Sequence, residues 1–129
     1  MKFETICSFL ETLNLETATS PDYGKRLYDF ILAKKPSECL ELGFAHSASS
    51  CYTAAALDEI GKGHLTSVDI VPAMEWQKPA IEELLSKTKL EKYVTVMREN
   101  TSYNWFLKKK IEENQGEWSA PRKLDHLIC

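Results

Sequence analysis

The fold of this chain is organised around one segment, Cys39-Leu40-Glu41-Leu42-Gly43-Phe44-Ala45-His46-Ser47-Ala48-Ser49. Its first four residues form a short apolar run that ends at a glycine, as a buried strand does. An alanine-rich segment follows, from about His46 to Ile60, and Gly61 fits the C-terminal stop of a helix. The stretch therefore predicts a strand, a tight turn and a helix in direct succession.

The later segments continue this alternation of strand and helix. Further strands are predicted at residues 64–68, 93–97 and 124–129, where β-branched and apolar residues concentrate. Helices are predicted between them at residues 79–87 and 103–114. Such alternation is typical of a parallel sheet with right-handed crossovers. We therefore expect an α/β fold with a Rossmann-like, mostly parallel sheet of about four strands.

Two helices are predicted before the first strand. Residues 2–13 carry an apolar stripe at helical spacing, formed by Phe3, Ile6, Phe9, Leu10 and Leu13. After a polar link, Ser20 and Pro21 fit the N-cap and first position of a second helix that reaches about Lys34. This helix is expected to bury Leu27, Phe30 and Ile31. We divide the chain into an N-terminal helix with its link, 1–19, and one domain, 20–129.

Composition narrows the class of protein. The chain has 129 residues, with 16 Lys and Arg against 19 Asp and Glu, for a formal net charge of -3. This balance argues against a general nucleic-acid binder or a membrane-surface protein. No apolar run approaches the roughly 18 residues of a membrane span. The four cysteines show no metal-like spacing, so we expect reduced thiols in a cytoplasmic protein without a metal site.

Three loops are predicted to meet at one edge of the sheet. In open α/β sheets, ligands bind outside the carboxyl ends of the strands. Gly43 follows the first strand, Asp69 ends the second, and the segment from Arg98 to Ser102 follows the third. Gly43 permits close backbone approach, and an acid at the place of Asp69 commonly accepts hydrogen bonds from ribose hydroxyls. The edge therefore suggests a nucleoside-like ligand.

Several of these residues also have purely structural interpretations. Asp69 could cap a turn, and Glu41 could pair with a lysine, although an acid within an apolar strand favours a pocket. His46 could border the ligand or lie in solvent. Trp76 could pack in the interior or cover an adenine. No Ser-His-Asp or Cys-His set is evident in the sequence.

The order of these segments resembles that of a known family. Leu40 to Ser49 looks like the first motif of class I S-adenosylmethionine-dependent methyltransferases, E/D-x-G-x-x-x-G, and most resembles the small-molecule O-methyltransferase branch. Ser67-Val68-Asp69-Ile70 resembles the second motif, and Glu99 to Ser102 resembles the loop after strand three. The resemblance covers residues 20–129. It departs at Ser47, which stands where the family prefers a second glycine.

The resemblance implies S-adenosylmethionine as cofactor and assigns residues to it. Glu41 and Gly43 would border the methionine end, Asp69 would hold the ribose hydroxyls, and Glu99 and Asn100 would lie near the adenine. The implied cofactor-binding set is Glu41, Gly43, Phe44, Ala45, Ser47, Asp69, Glu99 and Asn100. No residue is assigned a role in the chemical step itself.

The resemblance also bounds the activity that we expect. The full family fold has seven strands, of which four are recognisable here, so the chain carries mainly the cofactor half. It implies methyl transfer to a small molecule, most naturally to oxygen. The alternative is a non-catalytic nucleoside-binding or protein-interaction module derived from a methyltransferase. A nicotinamide-dependent enzyme is disfavoured because G-x-G-x-x-G is absent.

The last predicted strand bears on partners. In the family's strand order, 3-2-1-4, residues Leu124 to Cys129 would lie at one side of the remaining sheet. An apolar strand with unpaired backbone groups is a template for pairing with another chain. We therefore expect a homodimer through this strand, a second chain that completes the sheet, or coverage by the N-terminal helix. The expected small partner is the methyl acceptor.

Overall fold

The computed structural model describes residues 1–15, 20–100, 107–109 and 111–112. Helices and strands alternate along the chain after two leading helices. The helices are α1 (Phe3–Leu13), α2 (Pro21–Lys34), α3 (Ala48–Ile60) and α4 (Ile81–Thr88), and the strands are β1 (Glu38–Leu42), β2 (His64–Ile70) and β3 (Val94–Glu99). Short 3-10 helices lie at Val71–Glu75 and Glu91–Tyr93.

The three strands form one parallel sheet in the order β1-β2-β3. This confirms the predicted α/β class, with three strands in the described part of the chain. The register sets Glu41 opposite Ser67 and Asp69 opposite Arg98. Because the strands are parallel, their carboxyl ends meet at a single edge. The predicted fourth strand, Leu124 to Cys129, and with it the edge-pairing prediction, lies outside the described residues.

Helix α3 is buried along most of its length. It contacts α1 and α2 and also β2, so residues on more than one face are removed from solvent. This explains its alanine-rich sequence, because small side chains let the neighbouring elements approach closely. Gly24 of α2 shows the same constraint, since a Cβ built there would lie 2.4 Å from the Tyr52 ring.

The helix α2 starts where the sequence predicts. The Ser20 hydroxyl accepts a hydrogen bond from the Tyr23 backbone N–H at 3.2 Å, and Pro21 occupies the first helical position. One predicted core residue is wrong, because Phe30 is 48% exposed. The buried face of α2 contains Gly24, Tyr28 and Ile31. Phe30 is turned about 100° from Ile31 around the helix axis and lies off that face.

The structure also bears on the predictions about the cysteines and about membrane-spanning helices. Cys39 and Cys51 are buried and Cys7 is half-buried, and no disulfide joins any two of these three residues. Cys129 lies outside the described residues. None of the helices in the described ranges is long and apolar enough to cross a bilayer. The division at residue 19 stays a prediction.

Candidate functional site

The loop between β1 and α3 has an unusual backbone. Gly43, Ala45 and Ser47 have φ values of 86°, 45° and 73°, in the left-handed region that glycine adopts most readily. The Gly43 N–H donates to the Val68 carbonyl at 2.6 Å, and the Ser47 N–H donates to the Phe44 carbonyl at 2.6 Å. Two non-glycine residues therefore hold a strained conformation, which surrounding contacts must stabilise.

Asp69 supplies contacts to the Phe44 and Ala45 part of this loop. Its side chain is 4% exposed, and its Oδ2 accepts hydrogen bonds from the backbone N–H groups of Phe44 at 3.1 Å and Ala45 at 3.2 Å. The same oxygen accepts from Gln77 Nε2 at 2.6 Å, and Oδ1 accepts from the Ile70 N–H at 2.8 Å. All four donors are N–H groups, which pair with a carboxylate. Asp69 thus joins the β1–α3 loop to the segment after β2.

Glu41 lies in the interior of the sheet among hydroxyl groups. Its carboxylate accepts hydrogen bonds from Ser49 at 2.5 Å, from Ser67 at 2.5 Å, and from Ser50. Burial raises the pKa of Glu41, the three hydroxyl donors counteract that rise, and the charge of Asp69 adds to it. The partners of this acid are therefore serines, rather than a lysine or solvent.

A cleft of about 460 Å³ opens at the carboxyl edge of the sheet. This volume is within the range of small-molecule sites, roughly 300–1,000 Å³. One wall comes from β1 and the loop after it, and the other from β2 and the 3-10 segment that follows. The lining residues are Leu42, Gly43, Ala45, Asp69, Ile70, Pro72, Ala73 and Trp76.

Trp76 and His46 meet beside this cleft. Trp76 is 51% exposed, and its ring makes an edge contact with the His46 ring, with centroids 5.3 Å apart. His46 is buried, so the interpretation of His46 as a solvated loop residue is wrong. His46 lies within the tight turn that the Ser47 N–H closes onto the Phe44 carbonyl, and its ring packs against Trp76.

The end of β3 contributes charged pairs. Glu99 is buried and lies 3.0 Å from the Lys109 ammonium, whereas Asn100 is exposed. Neither residue lines the cleft. Arg98 donates to both carboxylate oxygens of Glu82, at 2.6 and 3.1 Å, and its guanidinium lies 5.5 Å from the centre of the Phe44 ring. Arg98 therefore connects β3 and α4 to the β1–α3 loop.

The structure brings together part of the predicted site. Of the predicted set, Gly43, Ala45 and Asp69 line the cleft. The other members do not line it: Glu41, Phe44, Ser47 and Glu99 are buried, and Asn100 is exposed. Their assignment to the cofactor stays a prediction. Among the described residues, no three His, Cys, Asp or Glu side chains converge in a way that could hold a metal ion.

Sequence reasoning missed the polar partners of Glu41 and Asp69. Ser67 faces Glu41 because the two residues are opposite each other in the register, a pairing that no local pattern specifies. Gln77 reaches Asp69 because the 3-10 segment turns the chain back toward the sheet. A search for donors within ten residues of a strand-end acid would have included Gln77 among many others.

Comparison with known proteins defines the class of fold. No family model matches the chain. No curated protein matches it either. The solved structures that it resembles include methyltransferases, and the arrangement described above is similar to their Rossmann-like fold.

Three of these structures give the extent of the likeness. The O-methyltransferase TomG from Streptomyces achromogenes, in complex with S-adenosylmethionine, matches at TM-score 0.59 and 15% identity over 98% of this chain and 52% of its own. A provisionally assigned O-methyltransferase from Klebsiella pneumoniae matches at TM-score 0.60 and 14% identity. The match covers 88% of this chain and 47% of that protein. The S-adenosylhomocysteine-bound methyltransferase PaMTH1 from Podospora anserina matches at TM-score 0.58 and 15% identity. The match covers 74% of this chain and 40% of that protein. This chain thus spans about half the length of those proteins, and at such identity the likeness concerns the fold.

Proposed function

We propose that this chain binds S-adenosylmethionine in the cleft at the carboxyl edge of the sheet, as the cofactor-binding half of a methyltransferase. The observation that carries the proposal is Asp69, a carboxylate that lines the cleft and is held in place by four N–H donors. A carboxylate can only accept hydrogen bonds, so it suits the hydroxyl groups of a ribose. Two of the methyltransferases of similar fold are named with this cofactor or its demethylated form.

The residues around the cleft fit the chemical groups of such a ligand. Gly43 and Ala45 present backbone rather than bulky side chains, which allows close approach. Ser47 lies at the N-terminus of α3, and its buried hydroxyl has no hydrogen-bond partner among the described residues. A helix N-terminus with an unpaired donor suits a carboxylate such as that of the methionine portion. Trp76 offers an aromatic surface for the base.

Bound S-adenosylmethionine supplies an electrophilic methyl group on its sulfonium. The described residues would bind and orient this ligand and exclude water from one side of it, so their contribution is alignment. We propose that the acceptor is a small molecule methylated on oxygen. On this proposal, the methyl acceptor is bound by residues that correspond to the half of the similar methyltransferases that this chain does not match.

Calorimetric titration tests the binding. We expect S-adenosylmethionine and S-adenosylhomocysteine to bind the native chain, and Asp69→Ala to weaken binding by about 1–3 kcal/mol through lost hydrogen bonds. Glu83→Ala is the matched control, because it removes an exposed carboxylate on α4 that lies outside the cleft. Absence of binding to the native chain contradicts the proposal, and binding of NAD instead supports a dinucleotide site.

An assay of methyl transfer tests how much of the activity these residues carry. We expect the 129-residue chain to bind the cofactor without appreciable transfer of a radiolabelled methyl group to catechols, sugars or peptides. The physical reason is that the described residues form a donor site. Robust turnover that disappears in Asp69→Ala would show instead that the chain is a complete enzyme.

A further inference from the structure

Gln77 is the polar residue of this region that the proposed function leaves unused. It follows the 3-10 segment Val71–Glu75, and its side chain is 3% exposed. Its Nε2 donates to Asp69 Oδ2 at 2.6 Å. Its Oε1 is buried and has no hydrogen-bond partner among the described residues.

The orientation of this amide is set by Asp69. A rotation by 180° would bring Oε1 against a carboxylate oxygen, and two acceptors repel each other. The amide therefore keeps Nε2 on Asp69 and leaves a carbonyl oxygen buried and unpaired, a state that folded proteins rarely tolerate. The side chain of Gln77 therefore donates to Asp69 although its own carbonyl oxygen is left without a hydrogen bond.

Gln77 also completes a three-way contact at one oxygen atom. Oδ2 of Asp69 accepts from the N–H groups of Phe44 and Ala45 in the β1–α3 loop and from Gln77 in the segment after β2. Together with the Ile70 N–H on Oδ1, these donors fix the plane of the carboxylate, and Gln77 contributes a side-chain donor to that set. Because Asp69 lines the cleft, this restriction determines how it meets a ligand.

We propose that Gln77 is a positioning residue that makes the site selective for ribose over deoxyribose. The inference rests on the proposed function, because it assumes that Asp69 receives the ribose hydroxyls of a nucleoside. Gln77 acts through Asp69: it holds the carboxylate in the one orientation in which a hydroxyl donor is bound well. Without Gln77, Oδ2 loses one of these three donors, so the carboxylate is held less firmly and the ligand's 2′-hydroxyl no longer contributes fully.

Two ligands on each of three proteins test this inference. S-adenosylhomocysteine and its 2′-deoxyribose analogue are titrated into the native chain, Gln77→Met and Trp76→Leu. Methionine keeps the length of glutamine but lacks its hydrogen-bond donor. Trp76→Leu is the matched control, because Trp76 lines the cleft but makes no hydrogen bond to Asp69 among the described residues. The ratio of the two dissociation constants is compared, so any loss of folded protein cancels within each variant.

We expect the native chain to bind the ribose form at least tenfold more tightly, as a hydrogen bond to a charged group allows. Gln77→Met should lower the ratio by about threefold or more, and Trp76→Leu should weaken both ligands while keeping the native ratio. A native ratio that survives in Gln77→Met overturns the inference and leaves the proposed function intact. If the native chain binds both forms equally, the inference is likewise overturned, and if it binds neither, the proposed function fails with it.

A ligand-free measurement decides the case in which Gln77→Met does not fold. The side-chain amide protons of Gln77 should exchange slowly with solvent in nuclear magnetic resonance spectra of the native chain. They should exchange at least tenfold faster in Asp69→Asn, which replaces the charged acceptor by a neutral one. Fast exchange in the native chain would mean that the contact with Asp69 is absent, and the inference would be wrong.

Discussion

Two buried acids on neighbouring strands, Glu41 of β1 and Asp69 of β2, are held in opposite ways. Each is 4% exposed. Glu41 accepts hydrogen bonds from three serine hydroxyls. Asp69 accepts from three backbone N–H groups and one side-chain amide. Both therefore avoid the cost of an unpaired buried charge, but with donors of different chemistry.

The difference lies in what the donors can do when a proton arrives. A serine hydroxyl can rotate and accept a hydrogen bond, so the surroundings of Glu41 can adapt to its protonated form. A backbone N–H cannot accept, so the three backbone donors around Asp69 cannot adapt in this way. We infer that Glu41 is a structural group whose charge can change, and that Asp69 is a fixed acceptor of the kind a binding site needs.

The largest effect is expected from Asp69→Ala. The variant leaves the N–H groups of Phe44, Ala45 and Ile70 without their acceptor, next to a strained loop. We expect the free energy of unfolding to fall by about 3 kcal/mol, measured by chemical denaturation. Asp69→Asn keeps one acceptor oxygen and should lose less. A loss no larger than that of Glu83→Ala would show that the donors are satisfied in another way.

A second, smaller effect concerns Glu41 and has a defined sign. Burial raises its pKa in the folded chain above the ordinary value of 4.5. The folded state therefore binds a proton more tightly than the unfolded state does, and the stability of the native chain falls as the pH rises from about 4.5 through the raised pKa. In Glu41→Gln this contribution is absent. We expect the stability of the variant relative to the native chain to rise with pH across this window.

The measurement is denaturation of both proteins across pH 4–8, and the quantity compared is the difference between them. Taking the difference removes the contribution of other acids such as Asp58 and Glu82, whose pKa values are lowered by their partners. A difference that is constant with pH would contradict a raised pKa for Glu41. A difference of the opposite slope would mean that the three hydroxyls outweigh burial.

Most elements of the fold follow from local patterns in the sequence. The apolar stripe of α1, the Ser20 cap of α2 and the glycine stop of α3 each depend on neighbours a few residues apart. The same patterns mispredict Phe30, because helical spacing alone does not say where the buried face of α2 ends. The face is set by α3, which approaches at Gly24.

The residues of the candidate site could be predicted only where a local sequence pattern marks their position. Gly43 and Asp69 stand at strand ends, which the sequence marks, and both line the cleft. Ser67 reaches Glu41 through the register of two strands, and Gln77 reaches Asp69 through the path of a 3-10 segment. Register and loop path depend on contacts distant in sequence, so neither partner could be predicted.

A third prediction concerns strain near Asp69, at Ser47. This residue has a φ of 73°, and its buried hydroxyl has no partner among the described residues. Ser47→Gly removes both costs, so we expect the free energy of unfolding to rise by about 1 kcal/mol. Ala45→Gly is the matched control, because it relieves a φ of 45° without removing a hydroxyl. If Ser47 binds the ligand, Ser47→Gly should also bind the ligand more weakly. A lower free energy of unfolding in Ser47→Gly would contradict the strain argument.

The smallest effect is expected from an exposed acid, Glu82, which sets a baseline for Glu41 and Asp69. The Glu82 carboxylate, whose side chain is 55% exposed, receives two hydrogen bonds from Arg98, and these lower its pKa. A lowered pKa means that the pair stabilises the fold above the unfolded pKa and that this contribution is lost as the pH falls through the folded pKa. Solvent screens the pair, so Glu82→Gln should cost about 0.2–1 kcal/mol at neutral pH and less in high salt. Denaturation at low and high salt measures this, and a cost that equals that of Asp69→Ala would mean that burial does not separate these acids.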